Sequence, residues 1–151
     1  MAIVKVESGP WAGWMHWTRE PEGRFVEQAL GVMYFRDEPD GRVRCRIETG
    51  KQHTNLGDDL HGAFIMAVAD MVYFALGWRS LEAVPAVTLT ANFEFISPGR
   101  PGQVLEAVGE VLRETRRLLF VRAVLQQDGR IVANTSATLR KIPAAAGKDS
   151  D

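Results

Sequence analysis

The sequence predicts an α+β domain in which a curved antiparallel sheet wraps one central apolar helix. Three observations carry that expectation. Gly62 to Trp78 is an almost unbroken apolar run with a single charge, Asp70. On either side of it apolar and polar residues alternate, as Val43, Cys45 and Ile47 do among Arg42, Arg44, Arg46 and Glu48, which is the period of a half-buried strand. Asp40-Gly41 and Asp128-Gly129 then supply the residue types that tight hairpin turns require.

The 151 residues, 46% hydrophobic and 25% charged, suit one domain and exclude a disordered or fibrous chain. With 18 basic and 19 acidic residues there is no electrostatic footprint for a nucleic acid. The lone Cys45 cannot form an intramolecular disulfide, and Met1 to Pro10 lacks the apolar stretch of a secretory leader, so a cytoplasmic setting is expected.

Along the chain, residues 1–29 read as an arm in which Trp11, Trp14 and Trp17 recur every three residues, the spacing of a short helix or cap. Packing on its own domain or on a partner subunit is favoured over a lid above an apolar ligand or a membrane-surface anchor. A strand around Gly31–Phe35 turns at Asp40-Gly41 into the alternating strand. After the helix, Val87, Leu89, Ala91, Phe93 and Phe95 alternate with Thr88, Thr90, Asn92 and Glu94. Val104–Leu112, Leu118–Gln126 and Ile131–Ile142 complete about five to six strands of a single domain over residues 1–142, and 143–151 read as a disordered tail. Ser97 to Gly102 is a turn cluster with no helix behind it.

The apolar run is at the short limit for a membrane span and carries a carboxylate, so stable membrane insertion is not expected. A helix apolar on all sides is instead a core helix covered all round by protein. Asp58 and Asp59 precede it, as acids do near the positive end of a helix dipole, and Gly77 is its expected stop.

Asp70 is the most informative residue. Its helical neighbours are Met66, Ala67, Tyr73 and Phe74, none of them a cation. An unpaired buried carboxylate costs several kcal/mol, and acquires a raised pKa or a distant partner. Those conditions suit a general base or nucleophile, and equally an acid held by core hydroxyls. Just before the helix stand His53, Asn55, Asp58, Asp59 and His61, whose spacing does not make a metal site, so neither metal nor organic cofactor is expected. The first-turn amides of Gly62 and Ala63 suit a developing oxyanion, and Gly62 leaves room for a close approach.

Gly62 and Asp70 lie eight residues apart on one helix, about 12 Å at 1.5 Å per residue. A base and an oxyanion donor serving one carbonyl must each come within roughly 3 Å of it. Both can take part only if Asp70 works with Gly62 of a second subunit across a two-fold axis, as a homodimer or a homotetramer built from dimers.

Asn55, then His61-Gly62, then Asp70 nine residues after the histidine, followed by the strand Val87 to Phe93 and the Ser97-Pro98 turn, resembles the signature of hotdog-fold acyl-CoA thioesterases. The closest likeness is to the phenylacetate-pathway type within the hydroxybenzoyl-CoA thioesterase superfamily, over residues 30–142 by element order. The resemblance implies Asp70 as base or nucleophile toward an acyl-CoA thioester and the Gly62 amide as oxyanion donor. It further implies Asn55 and His61 as residues that shape the site, and Thr88 as the hydroxyl that positions water. The chain departs from the family at Ala63, where a second glycine is usual, and at Asp58, where a glycine tends to follow the asparagine by three. The Asp58–Asp59 pair disfavours CoA phosphates nearby, leaving Arg100 and other exposed basic residues as candidate contacts.

Other chemistry is poorly matched. There is no Gly-x-Ser-x-Gly elbow and no dinucleotide fingerprint, and Cys45 sits on a regular strand as a small core residue. A non-catalytic acyl-CoA binding module is the alternative from another class. A hotdog hydratase or dehydratase suits the His61–Asp70 spacing poorly. Phe64, Met66, Tyr73, Phe74 and the N-terminal tryptophans are the candidate acyl-pocket residues, and they do not specify the acyl chain.

Overall fold

The computed structural model describes residues 2–18, 25–82 and 84–142. The tail expected over 143–151 lies outside them. Turn glycines and strand alternation build one antiparallel sheet of eight strands in the order β1-β2-β3-β4-β6-β7-β8-β5. The strands are β1 (Ala2–Lys5), β2 (Met15–Thr18), β3 (Met33–Asp37), β4 (Val43–Ile47), β5 (Ala86–Phe95), β6 (Leu105–Glu114), β7 (Leu118–Gln127) and β8 (Arg130–Lys141). Between β4 and β5 come α1 (Gly62–Leu76) and the short α2 (Trp78–Leu81). Helix α1 packs against β4, β5, β6, β7 and β8, the hotdog arrangement.

The two strands beyond the expected six come from the arm. Instead of a helix, the tryptophan spacing resolves into a hairpin, with Ala2 opposite Thr18 and Lys5 opposite Met15. Tertiary packing overrides the spacing. Trp14 is buried, with the guanidinium groups of Arg36 and Arg46 within 4.5 and 5.2 Å of its ring. Trp11 stacks on Tyr34 at 4.5 Å, and Trp17 tilts onto Phe35 at 4.6 Å. A single turn of π-helix, Val26–Leu30, leads into β3.

Inward residues of the sheet, among them Phe35, Cys45, Ile47, Leu105, Leu119, Leu125 and Leu139, meet eight buried residues of α1. Burial pushes the Cys45 thiol far up, so it behaves as a small apolar residue. Beneath α1, the Tyr73 hydroxyl bonds Thr135 Oγ1, which donates at 2.7 Å to the Asn92 carbonyl. Helix, β8 and β5 are thereby tied together through one buried polar chain. Burial pushes the Tyr73 phenol up, keeping it protonated.

Helix α1 ends at Gly77, where a Cβ would stand 2.6 Å from Leu119 Cδ2, so the tight approach of β7 favours glycine there. Closest of all is the approach at Gly109, where β6 passes under the helix. A Cβ at that position would press on the Arg122 carbonyl oxygen and come within 2.8 Å of Ala123 Cβ and 2.9 Å of Leu76 Cδ1. Two of these neighbours are strand backbone and a Cβ, which cannot swing aside. Gly109→Ala is therefore expected to destabilise the fold by about 1–3 kcal/mol, read as a lower midpoint in urea with an unchanged slope.

Candidate active site

The uncovered face of α1 holds the site. Ala63, Met66 and Asp70, spaced three and four residues apart, form one exposed stripe along the helix. This corrects the expectation of a helix covered on every side and of a buried Asp70: in the single chain the carboxylate is open to solvent. Its apolar surroundings in the sequence belong to the flanking faces, which point into the sheet.

Asp70 does have a partner on its own chain. Thr88 Oγ1 donates to Asp70 Oδ1 at 2.6 Å. Strict alternation would set Thr88 on the polar side of β5, away from the helix. A register shift between Thr88 and Thr90 removes that conflict, for Thr88 pairs with Leu139, and beyond the bulge Ala91, Phe93 and Phe95 pair with Ala137, Thr135 and Ala133. The bulge thus turns Thr88 to the helix side, a common way for a strand to re-aim one side chain beside a site.

At the other end of α1, the N-cap is His61, whose Nδ1 accepts from the Ala63 amide at 3.0 Å. Asp58 and Asp59 were the expected acidic neighbours of this terminus, and they do other work. Asp59 pairs with Arg100 at 2.5 Å, and Asp58 takes a left-handed backbone with φ of 61°. Aspartate tolerates that conformation better than most residues, so it can stand where the resembled family favours glycine. Capping occupies the Ala63 amide, so of the two expected oxyanion donors only the Gly62 amide is without an acceptor among the described residues. A Cβ at Gly62 would lie 3.5 Å from the Phe95 ring, an ordinary contact. The helix start therefore does not need glycine for its own packing.

Asn55 organises the loop before the helix. Its Oδ1 accepts from the Gly57 amide at 2.8 Å and the Asp59 amide at 3.3 Å. A pocket of about 330 Å³ brings Asn55 together with Gly62, Phe95 and the Ser97-Pro98 turn. Asn55, His61 and Gly62 are thus gathered at the start of α1, and Asp70 and Thr88 meet at its middle. Sequence reasoning missed the Tyr73–Thr135 link and the capping role of His61; the position of His61 directly before the helix-starting Gly62 carries the second signal, and nothing local carries the first.

His53 borders the first group through its backbone, its carbonyl accepting from the His61 amide at 2.8 Å. It is buried, stacked on Phe64 at 4.1 Å, with Nδ1 accepting from the Gly50 amide at 3.1 Å. No cluster of three or more His, Cys, Asp or Glu side chains suited to a metal occurs among the described residues.

An antiparallel sheet wrapped on a helix, with a carboxylate on the open helix face and a free amide at the helix start, is the framework of a hotdog-fold thioesterase. The comparisons agree: the model of the thioesterase superfamily matches residues 57–133, and the chain belongs to that superfamily. Acyl-coenzyme A thioesterase 13 of Homo sapiens is 24% identical over 114 residues, covering 74% of this chain and 81% of the relative. The PaaI protein from the phenylacetic acid degradation operon of E. coli superposes with a TM-score of 0.67 at 19% identity, over 80% of this chain and 86% of the other. A hypothetical thioesterase protein of Streptococcus pneumoniae solved with coenzyme A gives 0.66 at 20% identity, over 76% and 88%.

Burial holds the His53 pKa below its ordinary value of 6.5, against the smaller opposing effect of a hydrogen bond to the Ala29 carbonyl. The unfolded ring then takes up a proton that the folded ring refuses. Stability is expected to fall as pH drops below about 6.5 and to level off below the lower folded value. Urea titrations across that window should show a slope that His53→Gln flattens.

Proposed function

We propose that the protein hydrolyses an acyl-CoA thioester to a carboxylic acid and free CoA, with Asp70 acting on the carbonyl and the Gly62 amide of a second subunit holding the oxyanion. The observation that carries this reading is the separation of the two groups. The eight residues between Gly62 and Asp70 on α1 span about 12 Å, and each group is oriented outward at its own end of one uncovered stripe.

The surface beside that stripe favours a two-fold partner. Strand β5 is a ten-residue sheet edge, and Met66, Val87, Leu89, Phe95 and Ile96 on and around it are 43–56% exposed. A long apolar edge of this kind is a template for pairing. Antiparallel pairing of two β5 strands sets two α1 helices side by side in opposite directions, so the start of one meets the middle of the other. The approaching helix also removes water from around Asp70, which supplies the desolvation that the single chain lacks.

In this site the substrate carbonyl oxygen accepts from Gly62 N–H of the partner subunit, at the positive end of its helix. Asp70 either draws a proton from a water that attacks the carbonyl carbon, or attacks that carbon itself to give an anhydride that water then opens. The thiolate of CoA leaves in both routes. Thr88 holds Asp70 Oδ1 and so fixes which oxygen faces the substrate. Asn55 and His61 shape the loop and helix start that present the amide. Hydrolysis by this machinery needs no metal or organic cofactor. A single buried thiol suits a reducing, cytoplasmic setting.

Asp70→Asn is expected to lower thiol release from acyl-CoA by at least about a hundredfold, and Thr88→Ala by about tenfold, the equivalent of one lost hydrogen bond. A complementation test decides whether the site is shared. Gly62→Pro deletes the amide proton at the first helical position, where proline is tolerated, and His61 already has an extended backbone, with φ of −63° and ψ of 132°. Co-expressed Asp70→Asn and Gly62→Pro chains, each inactive alone, should form mixed dimers with one fully intact site and near half of native activity per dimer. Mixed dimers as inactive as their parents would place the whole site within one chain. Acyl-CoA binding without thiol release by the native protein would make it a binding module.

A further inference from the structure

Gly62 opens α1 with an amide that has no acceptor among the described residues. Such an amide stabilises an oxyanion only if its N–H keeps one direction through the reaction. That direction is set by the residues on either side of it, and one buried residue, His53, holds both. Before Gly62, the His53 carbonyl accepts from the amide of His61, the N-cap, at 2.8 Å. After Gly62, the His53 ring stacks on Phe64 in the first helical turn, with centroids 4.1 Å apart and planes 11° from parallel. The Gly62 peptide is thus suspended between two anchored neighbours.

His53 can act as an anchor because it is itself immobilised. Its Nδ1 accepts from the Gly50 amide at 3.1 Å, and its own amide donates to the Gly50 carbonyl at 3.0 Å. A further bond runs from the ring to the carbonyl of Ala29, in the turn Val26–Leu30 ahead of β3. One ring nitrogen accepts and the other donates, which is the pattern of a neutral imidazole. Burial favours that neutral form. Packing against Phe64 needs only a flat ring. What the imidazole adds is the pair of hydrogen bonds that fixes the main chain at residue 53, and with it the carbonyl that holds His61. Residues 54–60 cannot absorb a displacement between the two histidines, because they close on themselves through the Thr54–Leu60 bridge and the bonds to Asn55 Oδ1.

We propose that His53 is a positioning residue for thioester hydrolysis: it aims the Gly62 amide of its own chain at the oxyanion without touching the substrate. The proposal rests on the assignment of that amide to the carbonyl oxygen. It follows that each His53 governs the site to which its own chain gives the amide and the partner gives the carboxylate.

Two variants loosen the anchor in different ways. His53→Phe keeps a ring beside Phe64 and removes both nitrogens; His53→Asn keeps a short polar group and removes the ring. Each should lower kcat for acyl-CoA hydrolysis about tenfold, part of the roughly 10²–10³ that a whole oxyanion donor contributes, with KM unchanged. A raised KM at native kcat overturns the proposal. Placement within mixed dimers separates aiming from stability. When an Asp70→Asn chain is paired with a Gly62→Pro chain, the intact site takes its amide from the Asp70→Asn chain. His53→Phe added to that chain should lower the rate about tenfold, and the same change in the Gly62→Pro chain should leave the rate of the intact site as it was. Equal losses from both placements overturn the proposal, since they would mean that His53 acts through stability.

Amide resonances of protein labelled at glycine give a readout that does not depend on turnover. The Gly62 resonance should move in His53→Phe and in His53→Asn, while Gly41 in the turn between β3 and β4 and Gly77 at the far end of α1 keep theirs. A Gly62 resonance that stays in place in both variants overturns the proposal. Native turnover by Gly62→Pro would instead sink the assignment of the Gly62 amide, and the resonances still report whether His53 orients it.

Discussion

A single hydrogen bond, from Thr88 Oγ1 to Asp70 Oδ1 at 2.6 Å, ties the one charge of the central helix to the strand at the edge of the sheet. Everything about the site follows from where that bond can form. Regular alternation would leave Thr88 facing away, so β5 must carry a bulge beside it. The helix must keep the stripe of Ala63, Met66 and Asp70 uncovered by its own sheet. The cost is an apolar edge and face that one chain does not bury.

The same constraint divides labour along α1. Its buried side is uniformly apolar and is anchored by the Tyr73–Thr135–Asn92 chain, so the helix cannot roll to hide its carboxylate. Its start is held by the His61 cap and the Asn55 loop, which leave the Gly62 amide free. Its far end opens toward aromatic walls. The unoccupied Gly62 amide and an aromatic-walled cavity thus lie toward opposite ends of α1.

Much of this was legible in the residues. Alternation around Cys45, the two Asp-Gly turns and the apolar run fixed β3, β4, β7, β8 and α1 closely, because burial on one face imposes its period directly on the sequence. The motif from Asn55 to Asp70 falls on the loop and helix where Asn55, His61 and Gly62 come together and Asp70 meets Thr88. What escaped was set by tertiary context. Tryptophans spaced by three suggest a helix until arginines from β3 and β4 are available to cover Trp14. The exposure of Asp70 was misread because composition shows how apolar a helix is and not which of its faces the sheet leaves bare. A bulge has no reliable local signature, so the inward turn of Thr88 could not be seen either.

The two rims of the sheet are unequal, and this bears on the protein's solubility. The outer strand at one side, β1, has four residues and ends in Lys5, while β5 at the other has ten. Open-ended polymerisation through backbone ladders needs two competent rims per molecule, one to give and one to receive. With only one rim long enough to template a neighbour, backbone pairing by this route can join like to like but offers no second rim on which a filament could continue.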